Sequence, residues 1–200
     1  MIDFSYKKEN DCISISIRTD TTEIGTLFRI TACLYALKMD IISGEILTIT
    51  ENGKEYTLDT FLIRSEDENA DSAFQLGVLM DTVFSKHEDM ESLLSSYEIT
   101  EPPLDIFFKE NPEFIFTDDP ESDSTCFYLE SGTGRGLLYH ITKVLMNNEV
   151  NVLAGNIETD STEGRARDTF YLKDKEGKPF GSSPLVDKLR KEILKPKESS

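Results

Sequence analysis

Apolar and polar residues alternate strictly from Asp11 to Thr19, with Ile13, Ile15 and Ile17 on one side and Ser14, Ser16 and Arg18 on the other. A two-residue period of this kind marks a half-buried strand. Ile2–Tyr6 is shorter, alternating and aromatic, and reads as an extra edge strand. The loop Asp20-Thr21-Thr22-Glu23-Ile24-Gly25 supplies capping side chains and a glycine. The period then changes: Leu27, Ile30, Leu34 and Leu37 recur at three- and four-residue steps, which predicts a helix over 26–38. Ile41–Thr50 and Glu55–Arg64 return to strand character, joined at Asn52-Gly53, a strong hairpin signal. The polar stretch Ser65–Asp71 leads into a helical segment ending near Leu94, with Leu76, Leu79, Met80 and Val83 as its buried stripe.

All seven prolines follow residue 101, and four of them fall in 102–120, which makes that stretch the connecting region. Leu104–Phe108 and Glu113–Phe116 are apolar enough within it to be strands. Glu113–Thr117 is assigned as the closing strand of a first unit, residues 11–118, and Thr125–Glu130 as the opening strand of a second, 124–195. Asp118-Asp119-Pro120 turns the chain between them. Helix 137–148, strands 150–160 and 165–173 and helix 184–194 follow, and the polar tail Lys195–Ser200 leaves the second unit without a last strand. Its opening strand would then be an exposed edge, to be covered by Ile2–Tyr6, Leu104–Phe108 or a partner subunit.

The two halves are copies. At an offset of 111 residues, Gly25, Leu27, Ile30, Thr31, Leu34, Gly44, Ile46, Thr48 and Gly53 meet Gly136, Leu138, Ile141, Thr142, Leu145, Gly155, Ile157, Thr159 and Gly164. Asp59-Thr60-Phe61 recurs as Asp168-Thr169-Phe170. A repeat this long is a duplicated domain, since solenoid units run roughly 20–50 residues. The expected architecture is α+β: two small units, each an antiparallel sheet with two helices on one face.

Composition narrows the partners. With 21 Lys+Arg against 38 Asp+Glu the formal charge is −17, a surface that repels nucleic acid and anionic membranes. No apolar signal region opens the chain and no run approaches the roughly 20 apolar residues of a membrane span, so a cytoplasmic protein is expected. Cys12, Cys33 and Cys126 are few, distant and placed differently in the two copies, which suits reduced thiols better than disulfides.

The most distinctive local chemistry is Ser131-Gly132-Thr133-Gly134-Arg135-Gly136. Glycines let backbone amides approach a ligand, and the helix that follows offers unpaired N–H groups to an anion such as a carboxylate. Gly25 opens the matching helix of the first copy. An ammonium group would need an acceptor, either Asp20 in the first loop or Asp40 and Asn151 at the second strands of the two copies. Neither a dinucleotide fingerprint nor a phosphate loop is present. Asp59 and Asp168 read as parts of strand geometry or the domain interface, and His87 and His140 as solvated or packed, with no metal spacing. No cofactor and no catalytic pairing of base and nucleophile is expected.

The pattern Gly-Leu-Leu-x-x-Ile-Thr-x-x-Leu, then Asn-Val-x-x-Gly-x-Ile-x-Thr, then Asp-Thr-Phe-Tyr-Leu-x-Asp-x-x-Gly-Lys-Pro-Phe resembles an ACT domain, a βαββαβ regulatory module that commonly binds amino acids. Residues 136–180 carry it closely and 25–64 keep its landmarks. The arrangement is similar to the tandem ACT pair of bacterial PII-uridylyltransferases and to double-ACT regulators of the glycine cleavage repressor family. One departure is local: Thr22 and Thr133 stand three residues before the helix glycine, where family members usually have Asp. The resemblance implies a ferredoxin-like fold, an amino-acid ligand, a homodimer and a regulated protein partner, in nitrogen metabolism. The alternative is a ligand-free protein–protein interaction module.

Overall fold

The computed structural model describes residues 2–20, 22–65, 71–86 and 89–195. The expectations for His87, for most of the polar stretch Ser65–Asp71 and for the tail beyond residue 195 fall outside these residues. Eight strands form one continuous sheet in the order β1-β2-β4-β3-β7-β8-β6-β5, every neighbouring pair antiparallel.

The first half contains β1 (Ile2–Glu9), β2 (Cys12–Thr19), α1 (Thr26–Ala36), β3 (Met39–Glu51), β4 (Lys54–Ser65) and α2 (Asp71–Lys86). The second repeats it as β5 (Glu113–Asp119), β6 (Ser124–Gly132), α5 (Leu137–Asn147), β7 (Asn151–Asp160), β8 (Arg165–Lys173) and α6 (Pro184–Leu194). Between them lie α3 (Met90–Ser96) and α4 (Leu104–Phe108). The fold is α+β, with two ferredoxin-like units. The segment expected to be one helix ending near Leu94 is two, because the Asp89 carboxylate accepts from the Glu91 and Ser92 amides and starts α3 anew.

Two strand assignments are corrected. Glu113–Thr117 does not close the first unit: β5 pairs with β6 from Glu113↔Glu130 to Asp119↔Ser124, in the second half. A short turn makes this hairpin far easier to close than a return across the sheet. Asp119 fixes the turn by accepting from the Glu121 amide at 3.0 Å and the Ser122 hydroxyl at 2.7 Å. β1 pairs with β2 in the same way. Among the described residues neither unit has a strand after its second helix; the place such a strand would take is filled by the hairpin partner at the start of each unit. The edge of β6, for which Ile2–Tyr6, Leu104–Phe108 or a partner subunit was the expected cover, is covered by β5, while Ile2–Glu9 pairs with β2 at the other end of the sheet. Leu104–Phe108 is a helical turn rather than a strand. Pro102 and Pro103 precede it, and Leu104 and Phe107, three residues apart, turn to one side so that Phe107 is buried.

Alternate residues of the strands, among them Ile15, Ile17, Phe61, Ile63, Phe127, Leu129, Phe170 and Leu172, join α1, α2, α5 and α6 in one hydrophobic core. The halves meet where β3 pairs with β7, Gly44 opposite Ile157 and Ile46 opposite Gly155. Above this seam α1 packs on α5, and the Thr31 and Thr142 hydroxyls, each the other's copy in the repeat, hydrogen-bond at 2.7 Å. An approximate two-fold axis therefore runs through this pair. No helix among the described residues is long and apolar enough to cross a membrane.

Gly44 and Gly155 sit opposite Phe61 and Phe170, and their bareness lets each ring lie across the neighbouring strand. A Cβ at Gly44 would meet Phe61 Cδ1 at 2.5 Å and the Thr60 carbonyl at 2.9 Å; at Gly155 the corresponding distances are both 2.9 Å. Gly44→Ala and Gly155→Ala are each expected to lower unfolding stability by about 1–3 kcal/mol through overpacking, read as a drop in the urea midpoint at unchanged slope. Wild-type midpoints in both variants would contradict the packing.

Candidate functional site

α1 and α5 begin in the same unusual way. Gly25 and Gly136 have φ of +91° and +95°, a left-handed conformation that side chains rarely adopt, and neither helix has a side-chain cap. The first intrahelical bonds run from Arg29 N–H to the Gly25 carbonyl and from His140 N–H to the Gly136 carbonyl. The amides of Leu27 and Phe28, and of Leu138 and Tyr139, precede them and have no partner within their helices. Each is a patch of positive potential suited to a carboxylate.

The two-fold axis sets each helix start against the other unit. Thr133–Tyr139 face Tyr35, Met39 and Asp40 over a floor that includes Asp168, enclosing a cavity of about 30 Å³. Thr22–Phe28 face Met146, Val150 and Asn151 over a floor that includes Asp59, enclosing about 20 Å³. Each has room for about one water molecule, so both clefts are closed in this conformation. Tyr35 closes the Gly136 cleft and Met146 the Gly25 cleft: a Cβ on Gly136 would lie 2.8 Å from the Tyr35 ring, and one on Gly25 would lie 3.1 Å from Met146 Cγ. Tyr35 and Met146 are equivalent positions of the repeat.

The residues singled out from sequence divide accordingly. Asp40, Gly134 and Gly136 line the second unit's cleft; Gly25 and Asn151 line the first unit's, where the Asn151 amide donates to the Thr22 carbonyl at 3.1 Å. Asp20 lines neither cleft and lies at the end of β2, 4.0 Å from the Lys54 ammonium. Gly132 also lies outside the cleft linings, and its bareness serves packing: a Cβ there would fall 2.7 Å from the Ile106 carbonyl. Gly134 is backed by the Phe107 ring at 3.1 Å from an added Cβ. The glycine-rich loop is thus shaped in large part by α4 lying on it.

Asp59 and Asp168, expected to serve strand geometry or the domain interface, line the two clefts. They are only 1% and 2% exposed. Burial pushes both carboxyls up to about 7 against the small opposing effect of one amide each, Leu47 and Glu158 respectively. The Glu158 amide donates to Asp168 at 3.3 Å, while Asp59 Oδ1 is buried with no hydrogen-bond partner. The sequence signal was their phase: Asp59 alternates with Phe61 and Ile63, which places the carboxyl on the buried face of the strand.

Other candidates resolve as packing. His140 is buried with Nε2 2.9 Å from the Ile193 carbonyl, and burial pulls its imidazole below the usual range. The three cysteines are free, and burial pushes the Cys33 thiol up to about 12. No cluster of three or more metal-ligating residues occurs among the described residues.

No family model matches the chain, and no curated protein sequence matches it significantly. Among solved structures it is similar to an aspartate kinase from Synechocystis, at 13% identity over 84% of this chain and 25% of the kinase, with a TM-score of 0.46. An unknown protein from Galdieria sulphuraria aligns at 10% identity over 92% of this chain and 89% of its own, with a TM-score of 0.27. The chain spans a quarter of the kinase chain's length.

The raised carboxyls fix a sign for stability. Between about pH 4 and pH 7 the folded state holds protons on Asp59 and Asp168 that the unfolded chain has released, so their contribution to stability falls as pH rises through that window. At pH 8, Asp59→Asn and Asp168→Asn are expected to exceed wild type in urea unfolding free energy, each by on the order of 1–4 kcal/mol. The advantage should shrink steadily as pH is lowered toward 4. An advantage that is constant or grows on acidification would rule out the buried-acid account.

Proposed function

We propose that this chain is a non-catalytic regulatory module of the tandem ACT type, sensing a small metabolite with amino-acid chemistry at the clefts between its two units. One observation carries the reading: each cleft takes its helix start from one unit and its opposing wall from the other. Occupancy of such a cleft changes how the units pack, and coupling of this kind is typically worth about 1–3 kcal/mol. The helix-start amides suit a carboxylate and the buried acid an ammonium group, the two charged ends of an amino acid. The ACT-like motif over 136–180 supports the same ligand class. A cytoplasmic homodimer acting on a protein partner completes the proposal, with the outer edges of β1 and β5 as candidate surfaces for association. Kinship with the ACT pairs of PII-uridylyltransferases would place it in nitrogen metabolism.

Thermal melts of the full chain with each of the twenty amino acids test the proposal. A selective ligand at about 100 times its Kd stabilises by about 2.7 kcal/mol, a rise of roughly 5–10 °C for a chain of this size. A flat response to all twenty would replace the sensor with the ligand-free interaction module.

A further inference from the structure

The clefts share one plan but differ in three respects, and all three favour the same one. The first is the floor. Each acid accepts one backbone amide, Asp168 from Glu158 and Asp59 from Leu47. Beyond that amide, Asp59, a lining residue of the Gly25 cleft, keeps a buried oxygen, Oδ1, with no hydrogen-bond partner, and Asp168 has no such atom. A buried acceptor left unsatisfied is costly, so a donor that arrives with its own charge has most to gain there.

The second difference is the plug. Tyr35 is held in the Gly136 cleft from both ends: its ring stacks on Tyr139 at 4.8 Å between centroids and its hydroxyl donates to the Thr100 carbonyl at 3.0 Å. Met146 over Gly25 is an unbranched, half-exposed thioether with three rotatable bonds, which vacates its place by a rotamer change. The third difference is the cover. The segment between the units is strapped over the second loop. Glu101 pairs with Lys143 at 2.7 Å, an added Cβ on Gly136 would meet Pro102, and Phe107 backs Gly134. Nothing equivalent lies on the first loop among the described residues.

We propose that the Gly25 cleft alone is the ligand site of this module, with Asp59 as the residue that receives the ammonium group of an aliphatic α-amino acid. The inference rests on the sensor reading above and deepens it. The ligand carboxylate meets the Leu27 and Phe28 amides, and its ammonium group supplies the donor that Asp59 Oδ1 lacks. Leu27, Ile46, Leu145, Val150 and Val152 give the lining an aliphatic stretch to meet the ligand side chain, and Glu23 is its one charged residue besides Asp59. The Gly136 cleft, with its plug tethered and the connecting segment strapped over it, stays closed and serves as a fixed joint.

Isothermal titration of the full chain with L-alanine, L-valine and L-leucine, and with the matching 2-hydroxy acids that lack the ammonium group, tests this. The expected result is one site per chain, with Asp59→Asn weakening binding at least about tenfold and Asp168→Asn leaving it within about twofold. The hydroxy acids should bind wild type at least about tenfold more weakly than the amino acids, with most of that difference lost in Asp59→Asn. Thermal melts of both variants without ligand confirm that they fold. Two sites per chain, or binding lost in Asp168→Asn and kept in Asp59→Asn, overturns the assignment and leaves the sensor reading standing. Binding of charged amino acids alone overturns the ligand class, and silence with all twenty overturns this proposal together with the sensor.

Discussion

The seam between β3 and β7, with α1 lying on α5 above it, is the contact on which the rest of the molecule depends. A ferredoxin-like half of this size has few residues that can be buried on their own, and small domains are marginal for that reason. Joining the sheets edge to edge removes one open edge from each half, and packing α1 on α5 merges the two cores into one. The geometry is strict at its centre. Thr31 and Thr142 meet oxygen to oxygen at 2.7 Å while each is only 1–2% exposed, which requires the helices to cross within a side chain's length of each other. Gly44 and Gly155 lie in the same seam, where a larger residue would push against a phenylalanine ring. Once this contact is in place, each helix start necessarily faces the other unit, and the clefts follow.

The most expensive feature of the molecule lies directly beneath those clefts. Two carboxyls on inward-facing positions of β4 and β8 are kept out of water with one amide apiece to offset the cost. An apolar residue in either place would make a more stable sheet, as replacing poorly satisfied buried polar groups generally does. Their recurrence in both halves says that the duplicated ancestor of the two units carried the acid too, since both occupy the same register opposite Ile46 and Ile157. A destabilising group at the same place in both copies, on the floor of a cleft in each, is not accounted for by the packing of the sheet.

Much of this was legible in the sequence. The alternation of Ile13, Ile15 and Ile17, the Asn52-Gly53 hairpin and the offset that superimposes Gly25 on Gly136 fix the α+β class and the duplication, because each is a local signal whose period the core enforces. The connecting region was not legible in the same way. Leu104–Phe108 is apolar whether helical or extended, and only the packing of Phe107 against the glycine loop decides between them. Glu113–Thr117 could pair with either half, and the choice was made by the short turn at Asp119 rather than by any property of the strand itself. For the site, the glycines at 25 and 136 and the second-strand residues Asp40 and Asn151 were visible as motif positions. Asp59 was visible as a repeat but not as a cleft floor, since its meaning depends on a neighbour from the other half that sequence spacing does not reveal.

The inequality of the two clefts follows from topology. A duplication places two copies in one chain and requires a single connection between them. Here that connection leaves α3 in the helix layer of the first half and must reach β5, at the far edge of a sheet whose other edge is β1. The route crosses the second half, and residues 100–110 make contact along it: Thr100 with Tyr35, Glu101 with Lys143, Phe107 over Gly134, and the Glu110 carbonyl with Arg165 at 2.9 Å. Among the described residues the first half has no such strap, because the chain makes only one connection between the units. Two separate chains of the ancestral unit would have had equal clefts; fusion gave one of them a lid made of its own backbone. Beneath that cover Tyr35 stacks on Tyr139 and fills the second cleft, whereas the first is filled by the unbranched Met146.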